Sequence, residues 1–229
     1  MRAVYLDHNF EQNRIELSGE EAHHLLKVVR VKNGEEILGL NGKGTIAKLV
    51  VTEIGKKNII FIVTSTNLLS RARHFDLAIG KTKKEAMDLV LKQAVELGIG
   101  KVYILETQYS QRYQINHERI RRILISAMEQ SNNPYMPEIL EADLNSLLTE
   151  NYDSFSLFSL REAQNDNNLT ENSIEKSLIF IGPEGGFSSE EEEQILNTEI
   201  TSAIHIPTNI MRAPTAVSCA VGYLLGVRQ

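Results

Sequence analysis

Ile179-Phe180-Ile181-Gly182-Pro183-Glu184-Gly185-Gly186-Phe187 reads as a buried strand, Ser177–Ile181, running straight into a glycine-rich turn, with a helix beyond it. Glycines at such a turn let a ligand lie against bare backbone. In α/β sheets the space beyond the carboxyl end of a strand is where ligands bind. A phosphate is the first ligand to consider there, and the sequence argues against it. Neither Gly-x-x-x-x-Gly-Lys-Ser/Thr nor Gly-x-Gly-x-x-Gly occurs. The following helix opens with Glu190-Glu191-Glu192-Glu193, four carboxylates that suit a helix dipole but repel an anion. Ser188 and Glu191 have capping-box spacing, so part of that acidity is structural. A ligand with a positive centre, such as a sulfonium, fits this potential better. The competing reading is a plain strand-end turn.

Ile204-His205-Ile206-Pro207-Thr208-Asn209-Ile210-Met211-Arg212-Ala213-Pro214-Thr215-Ala216 repeats the pattern of strand, loop and helix start. The spacing predicts a strand over 203–206 and a helix from about Thr215, with Pro214 fixing the backbone at its entry. That helix, Val217 to Leu225, is apolar nearly all round, as expected of one buried in a core or against a second subunit. Both loops follow strands, so they can line one cleft. Arg212 stands in an otherwise uncharged loop. Either it acts on a ligand, or it pairs with a distant carboxylate, Glu184 or one on a partner subunit.

Working outward, the segment from Phe75 alternates strands and helices. Strands are predicted over 75–80, 101–105, 155–160 and 177–181. Helices are predicted over 83–97, with Gly98 as C-cap, over about 117–130, and after Ser188. This alternation implies an α/β domain with a mostly parallel sheet covered on both faces. Residues 1–70 differ. Short apolar runs over 3–6, 36–40, 45–51 and 59–63 lie between turn signals at Asn33-Gly34, Asn41-Gly42 and Gly55, which suggests a small barrel. One helix interrupts them, with Ser18 and Glu21 at capping-box spacing. Two domains follow, 1–70 and 74–229, joined near 68–74, with a polar loop insertion over 163–177.

Composition narrows the function. Residues 1–101 carry 16 Lys and Arg against 12 Asp and Glu, while residues 102–229 carry 8 against 18. A basic front on an acidic body suits a protein that meets an anion with one end. No apolar run approaches a membrane span of about 20 residues, and residues 1–6 show no signal-peptide pattern. The single cysteine, Cys219, reads as a small buried hydrophobe, consistent with a reducing cytoplasm. No Cys-x-x-Cys or His-Glu-x-x-His spacing points to a metal, and no Gly-x-Ser-x-Gly nucleophile turn occurs. His23 and His24 are adjacent on a helix, so at most one faces the core. Lys84, Asp88, Lys92 and Glu96 are spaced by four with alternating sign, as in a solvated helix ladder.

With these segments in order, the chain resembles the RsmE family of 16S rRNA uracil-N3 methyltransferases, within the SPOUT superfamily. The residues that carry the resemblance are His23-His24-Leu25-Leu26-Lys27-Val28-Val29-Arg30 with Gly34; Lys81, Lys83-Lys84 and Lys92 through Glu96-Leu97-Gly98; Glu129-Gln130-Ser131 with Pro137; Ile181–Phe187; and Arg212 with Thr215-Ala216. The resemblance implies a PUA-like N-terminal β-barrel that grips RNA and a C-terminal SPOUT domain with a trefoil-knotted sheet. It implies a homodimer, S-adenosyl-L-methionine as cofactor, and 16S rRNA or the assembled small ribosomal subunit as substrate. The cofactor is expected against Leu160, Ile181, Gly182, Pro183, Glu184, Gly185, Gly186, Ile206, Ile210, Met211, Arg212, Thr215 and Ala216. RNA contacts are expected from His24, Lys27, Arg30, Lys81 and Lys83. Arg212 is the expected catalytic residue, stabilising negative charge on the uracil carbonyls. Uracil N3 carries a proton at neutral pH, and no residue announces itself as its acceptor. Four positions depart from the family the chain resembles: Pro214 in place of a Glu, Asn133 in place of an Arg, and Gln108-Tyr109 in place of a Glu-Arg pair. These losses of charge leave two further readings open: an RNA-binding protein that kept the fold without the activity, and a knotted methyltransferase acting on another RNA base.

Overall fold

The computed structural model describes residues 1–70, 74–159 and 176–227. Two compact units emerge: Met1–Ser70 with Ile125–Met136, and Arg71–Leu124 with Pro137–Gln229.

In the first unit, β1 (Arg2–Tyr5), β2 (Arg14–Ser18), β3 (Glu36–Leu40), β4 (Thr45–Ile54) and β5 (Asn58–Leu68) form one sheet in the order β1-β3-β4-β5-β2. The β1–β3 pair is parallel and the others antiparallel. Alternation explains the burial: Ala47, Leu49 and Val51 of β4 and Ile15 and Leu17 of β2 point into one core with Ile37, Ile59 and Phe61. Register shifts between Lys48 and Leu49 and between Val51 and Glu53 break the β4–β5 ladder, and such irregularities bend long strands. Strand β2 escaped the sequence reading, although Ile15 and Leu17 alternate with polar neighbours.

The expected capping box at Ser18 does not form. Ser18 ends β2 opposite Asn58, Gly19 follows with φ +67°, and no side-chain bond caps α1 (Gly19–His24). The helix widens into a π-helical turn, Leu25–Val29, which stops at Arg30 in the left-handed conformation. Residues 125–136 complete this unit. Glu129 accepts a hydrogen bond from Tyr5 N–H at 3.0 Å. Gly44 N–H donates to the Pro134 carbonyl, and Met136 N–H to the Gly42 carbonyl. Asn133 accepts from Tyr135 N–H at 3.0 Å and shapes this turn.

In the second unit, β6 (His74–Gly80), β7 (Lys101–Leu105), β8 (Glu138–Ala142), β9 (Ser154–Phe158), β10 (Lys176–Ile181) and β11 (Thr201–Ile204) form a sheet in the order β11-β9-β10-β6-β7-β8. Every adjacent pair is parallel. The central strands are buried along nearly their whole length, as a parallel sheet covered on both faces requires. Leu178 and Phe180 of β10 join Phe155 and Leu157 of β9 in a cluster with residues of α4 (Leu144–Leu147) and α5 (Ser189–Leu196). The opposite face carries α2 (Lys84–Glu96) and α6 (Ala213–Val227), which pack on one another. α2 buries Met87, Val90, Leu91, Ala94 and Val95, one stripe at helical spacing. Helix α3 spans His117–Ser131.

Strands β7 and β10 and helices α2 and α5 fall within one or two residues of their sequence positions. The capping box at Ser188 and Glu191 forms in full. Strand β11 ends at Ile204, so His205 and Ile206 belong to the loop. Helix α6 starts at Ala213, which puts Pro214 inside its first turn, where a missing N–H costs nothing. It buries Val217, Ala220, Val221 and Leu224, whereas Thr215, Gly222 and Leu225 stay exposed. Strand β8 and the short α4 were not legible: β8 is an edge strand, half-buried without alternation. Most of the polar segment 163–177 lies outside the described residues. Among the described residues no helix is long and apolar enough to cross a membrane.

Candidate active site

Because β11, β9 and β10 are parallel neighbours, their carboxyl ends share one edge of the sheet, and the loops leaving them meet there. Between them lies a cavity of about 280 Å³, near the low edge of ligand clefts. Ile181, Gly182, Pro183, Glu184 and Gly186 line it from the β10 turn. Ile206, Ile210, Met211, Arg212 and Ala216 line it from the β11 loop and the start of α6. The two loops singled out from sequence therefore enclose one space. Phe158, Ser159, Ile204, Thr208, Asn209 and Ala213 also line it; the sequence reading missed these, although Phe158 sits at a strand end, where such positions are found.

The β10 turn is built on glycine for two separate reasons. A Cβ on Gly182 would lie 2.7 Å from Gly186 C and 2.8 Å from Phe187 N, so the turn folds back on itself only without one. Gly186 adopts φ +75°, and a Cβ there would meet nothing within 4 Å, which leaves open space beside its backbone. Gly186 N–H donates to the Pro183 carbonyl at 2.9 Å and closes the turn. Gly185 does not line the cavity; it packs under Tyr109, 2.8 Å from Tyr109 Cβ to a hypothetical Cβ. Thr215 is exposed outside the lining, and Leu160 lies outside the described residues.

The electrostatics differ from the sequence expectation. Glu191 is committed to the fold: it accepts from Ser188 N–H in the capping box and from Gln108 N–H, each at 2.8 Å. Ser159 donates to Glu192 at 3.0 Å. Glu184 supplies the carboxylate of the lining. Its Oε1 accepts from Lys83 N–H at 2.9 Å, which caps an α2 terminus that has no cap from Lys83's own side chain. Arg212 is exposed at the cavity rim. Among the described residues no carboxylate forms an ion pair with it, Glu184 included.

Lys81 must be withdrawn from the RNA-contacting set. It is only 2 % exposed, and its Nζ donates to Glu106 Oε1 at 2.6 Å and to the Tyr113 carbonyl at 3.5 Å. A buried ammonium so engaged is not presented to a phosphate. Lys81 in turn holds the Glu106 carboxyl below its ordinary range, through the hydrogen bond first and its charge second. Lys83 is exposed and lines a second cavity. In the first unit His24, Lys27 and Arg30 are all exposed, as is His23. The ladder on α2 is partly taken up: Arg119 pairs with Asp88, and Lys84 lies over the Tyr113 ring at 5.3 Å. Among the described residues no group of three or more His, Cys, Asp or Glu is placed to hold a metal.

Two family models match the chain. The RNA methyltransferase domain matches residues 69–225, and the RNA methyltransferase PUA domain matches residues 17–64. The chain belongs to this RNA methyltransferase family. The methyltransferase domain contains the whole cavity, and the PUA domain contains His24, Lys27 and Arg30. Among relatives, the ribosomal RNA small subunit methyltransferase E of Rickettsia conorii is 28% identical, over 95% of this chain and 92% of that protein. The corresponding enzyme 1 of Borreliella burgdorferi is 25% identical, over 96% and 95%. The crystal structure of a ribosomal RNA small subunit methyltransferase E from Neisseria gonorrhoeae, bound to S-adenosyl methionine, superposes with a TM-score of 0.86 at 22% identity, covering 100% of this chain and 98% of that one. The RsmE resemblance read from the motifs thus stands, and the fold is shared along the whole chain.

Proposed function

We propose that this methyltransferase transfers a methyl group from S-adenosyl-L-methionine to N3 of a uridine in 16S rRNA. The observation that carries the reading is the cavity itself: apolar walls and bare glycine backbone at the ends of parallel strands, with one carboxylate and one guanidinium at its edge. Relatives named for rRNA methylation along nearly their full length support the substrate class, and a protein of the same fold binds S-adenosyl methionine.

The residues fit the cofactor. Ile206, Ile210 and Met211 offer apolar surface to an adenine ring, and the open side of Gly186 admits a ligand against the backbone. Glu184 provides the negative charge that a cationic ligand requires. When bound, the cofactor supplies a methyl group on a sulfonium. The chain must then orient a uracil, exclude water and manage one proton. Uracil N3 lies on the Watson–Crick edge, so the base is received unpaired or flipped. Arg212 can hydrogen-bond a uracil carbonyl as negative charge develops there.

Residues 1–70 act in this reading as the RNA grip, through His24, Lys27 and Arg30, and residues 74–229 as the catalytic domain. The trefoil-knotted chain path and a homodimer formed over the exposed face of α6 belong to the same proposal, as does the cytoplasm, where rRNA is processed. Calorimetry with S-adenosyl-L-methionine and mass-spectrometric mapping of 16S rRNA from strains with and without the gene test it. One 3-methyluridine should disappear with the gene and return on complementation. Unchanged rRNA in the deletion strain refutes the substrate.

A further inference from the structure

A second cavity of about 430 Å³ adjoins the first. The two share Glu184, Arg212 and Ala213, and the second adds Lys83, Glu85, Ala86, Leu89 and Pro214. Among the described residues Glu184 is the carboxylate common to both cavities, and Arg212 the cation common to both. Lys83 is the other cation of the second cavity. Its backbone N–H donates to Oε1 of Glu184 at 2.9 Å.

The chemistry of this wall has a specific complement. The imide edge of uracil presents a carbonyl, an N–H and a second carbonyl in a row. Lys83 and Arg212 bring donors to this lining and Glu184 an acceptor, the complement of that edge, and Glu85 is the other carboxylate there. Cytosine offers a lone pair at N3 flanked by one carbonyl and one amino group. A carboxylate repels that lone pair, and a cation repels that amino group. Groups of this kind discriminate between the two pyrimidines by mispaired charge rather than by size.

Resting on the reading of the first cavity as the cofactor site, we infer that the second cavity receives the acceptor uracil and that Glu184 takes the N3 proton. Lys83 and Arg212 each meet one carbonyl. As N3 forms its bond to the methyl carbon, the sulfur–methyl bond breaks and its electron pair stays on sulfur, which becomes neutral. The N3 proton passes to Glu184 Oε2, and the two cations hold the charge that builds on the carbonyl oxygens until it has left. No oxidant or further reactant is needed. This supplies the proton acceptor that the sequence did not reveal.

The test is Glu184→Gln, which keeps the shape and an oxygen for Lys83 N–H but cannot take the proton. Its turnover near neutral pH should fall by about 10²–10⁴, the range of general base catalysis. Its rate should then climb by about tenfold per pH unit as solvent hydroxide removes the proton instead, approaching wild type in alkali. A structural role predicts no such recovery. Calorimetry with S-adenosyl-L-methionine sets the concentration that saturates the variant, the rates are compared at saturation, and thermal melting should show an intact fold. A second variant, Lys83→Met, retains the backbone N–H that holds Glu184. It should lower kcat/KM for the RNA by at least about tenfold, the worth of one charged hydrogen bond, with cofactor affinity unchanged. Wild-type turnover in folded Glu184→Gln overturns the inference, as does a loss of rate that higher pH does not restore. A loss of rate that a higher cofactor concentration restores also overturns it, by confining Glu184 to the first cavity. If instead the wild-type protein methylates no uridine at N3, the proposed function falls, and this inference with it.

Discussion

Gly182→Ala puts the whole architecture of the proposed cofactor cleft at risk through one methyl group. The added Cβ would lie 2.7 Å from Gly186 C, 2.8 Å from Gly186 Cα and 2.8 Å from Phe187 N. Carbon atoms rest about 3.5–4.0 Å apart, so the turn must open by roughly 0.7 Å or more. All three neighbours are backbone, so no side chain can rotate away. The movement stretches the Gly186-to-Pro183 hydrogen bond and shifts Gly186, which lines the cavity. Overpacking of this kind costs about 1–3 kcal/mol of stability. A loss of about tenfold in cofactor affinity corresponds to about 1.4 kcal/mol, well within that strain if binding must reclose the turn. The assay is titration calorimetry with S-adenosyl-L-methionine beside thermal melting, at matched temperature and salt. Gly186→Ala provides the contrast. Its Cβ meets nothing within 4 Å, so its stability cost is only that of a left-handed alanine, about 1–2 kcal/mol, while its methyl enters the open space proposed for the cofactor. Both variants should lose cofactor affinity, and Gly182→Ala should be the one whose turn is displaced. A folded Gly182→Ala protein with undiminished affinity refutes the assignment of this turn to the cofactor.

Arg212→Ala should lower kcat by about 10²–10³, the usual loss when a charge-stabilising donor is removed, and leave cofactor affinity nearly unchanged; Arg212→Lys should recover part, because lysine lacks the planar fork. Normal turnover with a lower melting temperature would instead make Arg212 a structural residue. Joint substitution of Lys27 and Arg30 by alanine should weaken RNA binding and reduce the salt slope of log affinity by about 0.7 for each single-strand phosphate no longer neutralised; an unchanged slope removes these residues from the RNA surface. Glu106 is held below its ordinary carboxyl value of 4.5 by Lys81, so its contribution to stability is present above the unfolded value and lost as pH falls through the folded one. Urea midpoints of wild type and Glu106→Gln should accordingly differ near neutrality and converge as pH falls through the lowered value of Glu106, and a difference independent of pH argues that the pair contributes nothing through ionisation.

Much of the chemistry-bearing region was legible because its signals are local. A run of apolar residues ending in Gly182-Pro183-Glu184-Gly185-Gly186 specifies a buried strand and a tight turn through its neighbours alone. The Ser188–Glu191 capping box marks the next helix start within four residues. The same local logic failed at Ser18, where pairing with Asn58 and the conformation of Gly19 overrode the capping pattern. It also failed at β8, an edge strand whose half-buried residues carry no clean period.

What the amino-acid order determined by itself was the kind of each element and the two loops able to meet a ligand, because periodicity and turn chemistry act between residues a few positions apart. Which strands lie side by side was decided by the tertiary structure. Adjacency of β6 and β10 brings Lys83 to Glu184 across a hundred residues of chain and opens the second cavity beside the first. The fate of Lys81 was settled in the same way. In the sequence it is one of several lysines before a helix; in the fold its ammonium is buried against Glu106 and Tyr113. Charge can be counted along a chain, but whether a charge faces water or a partner depends on contacts that form only when distant segments pack.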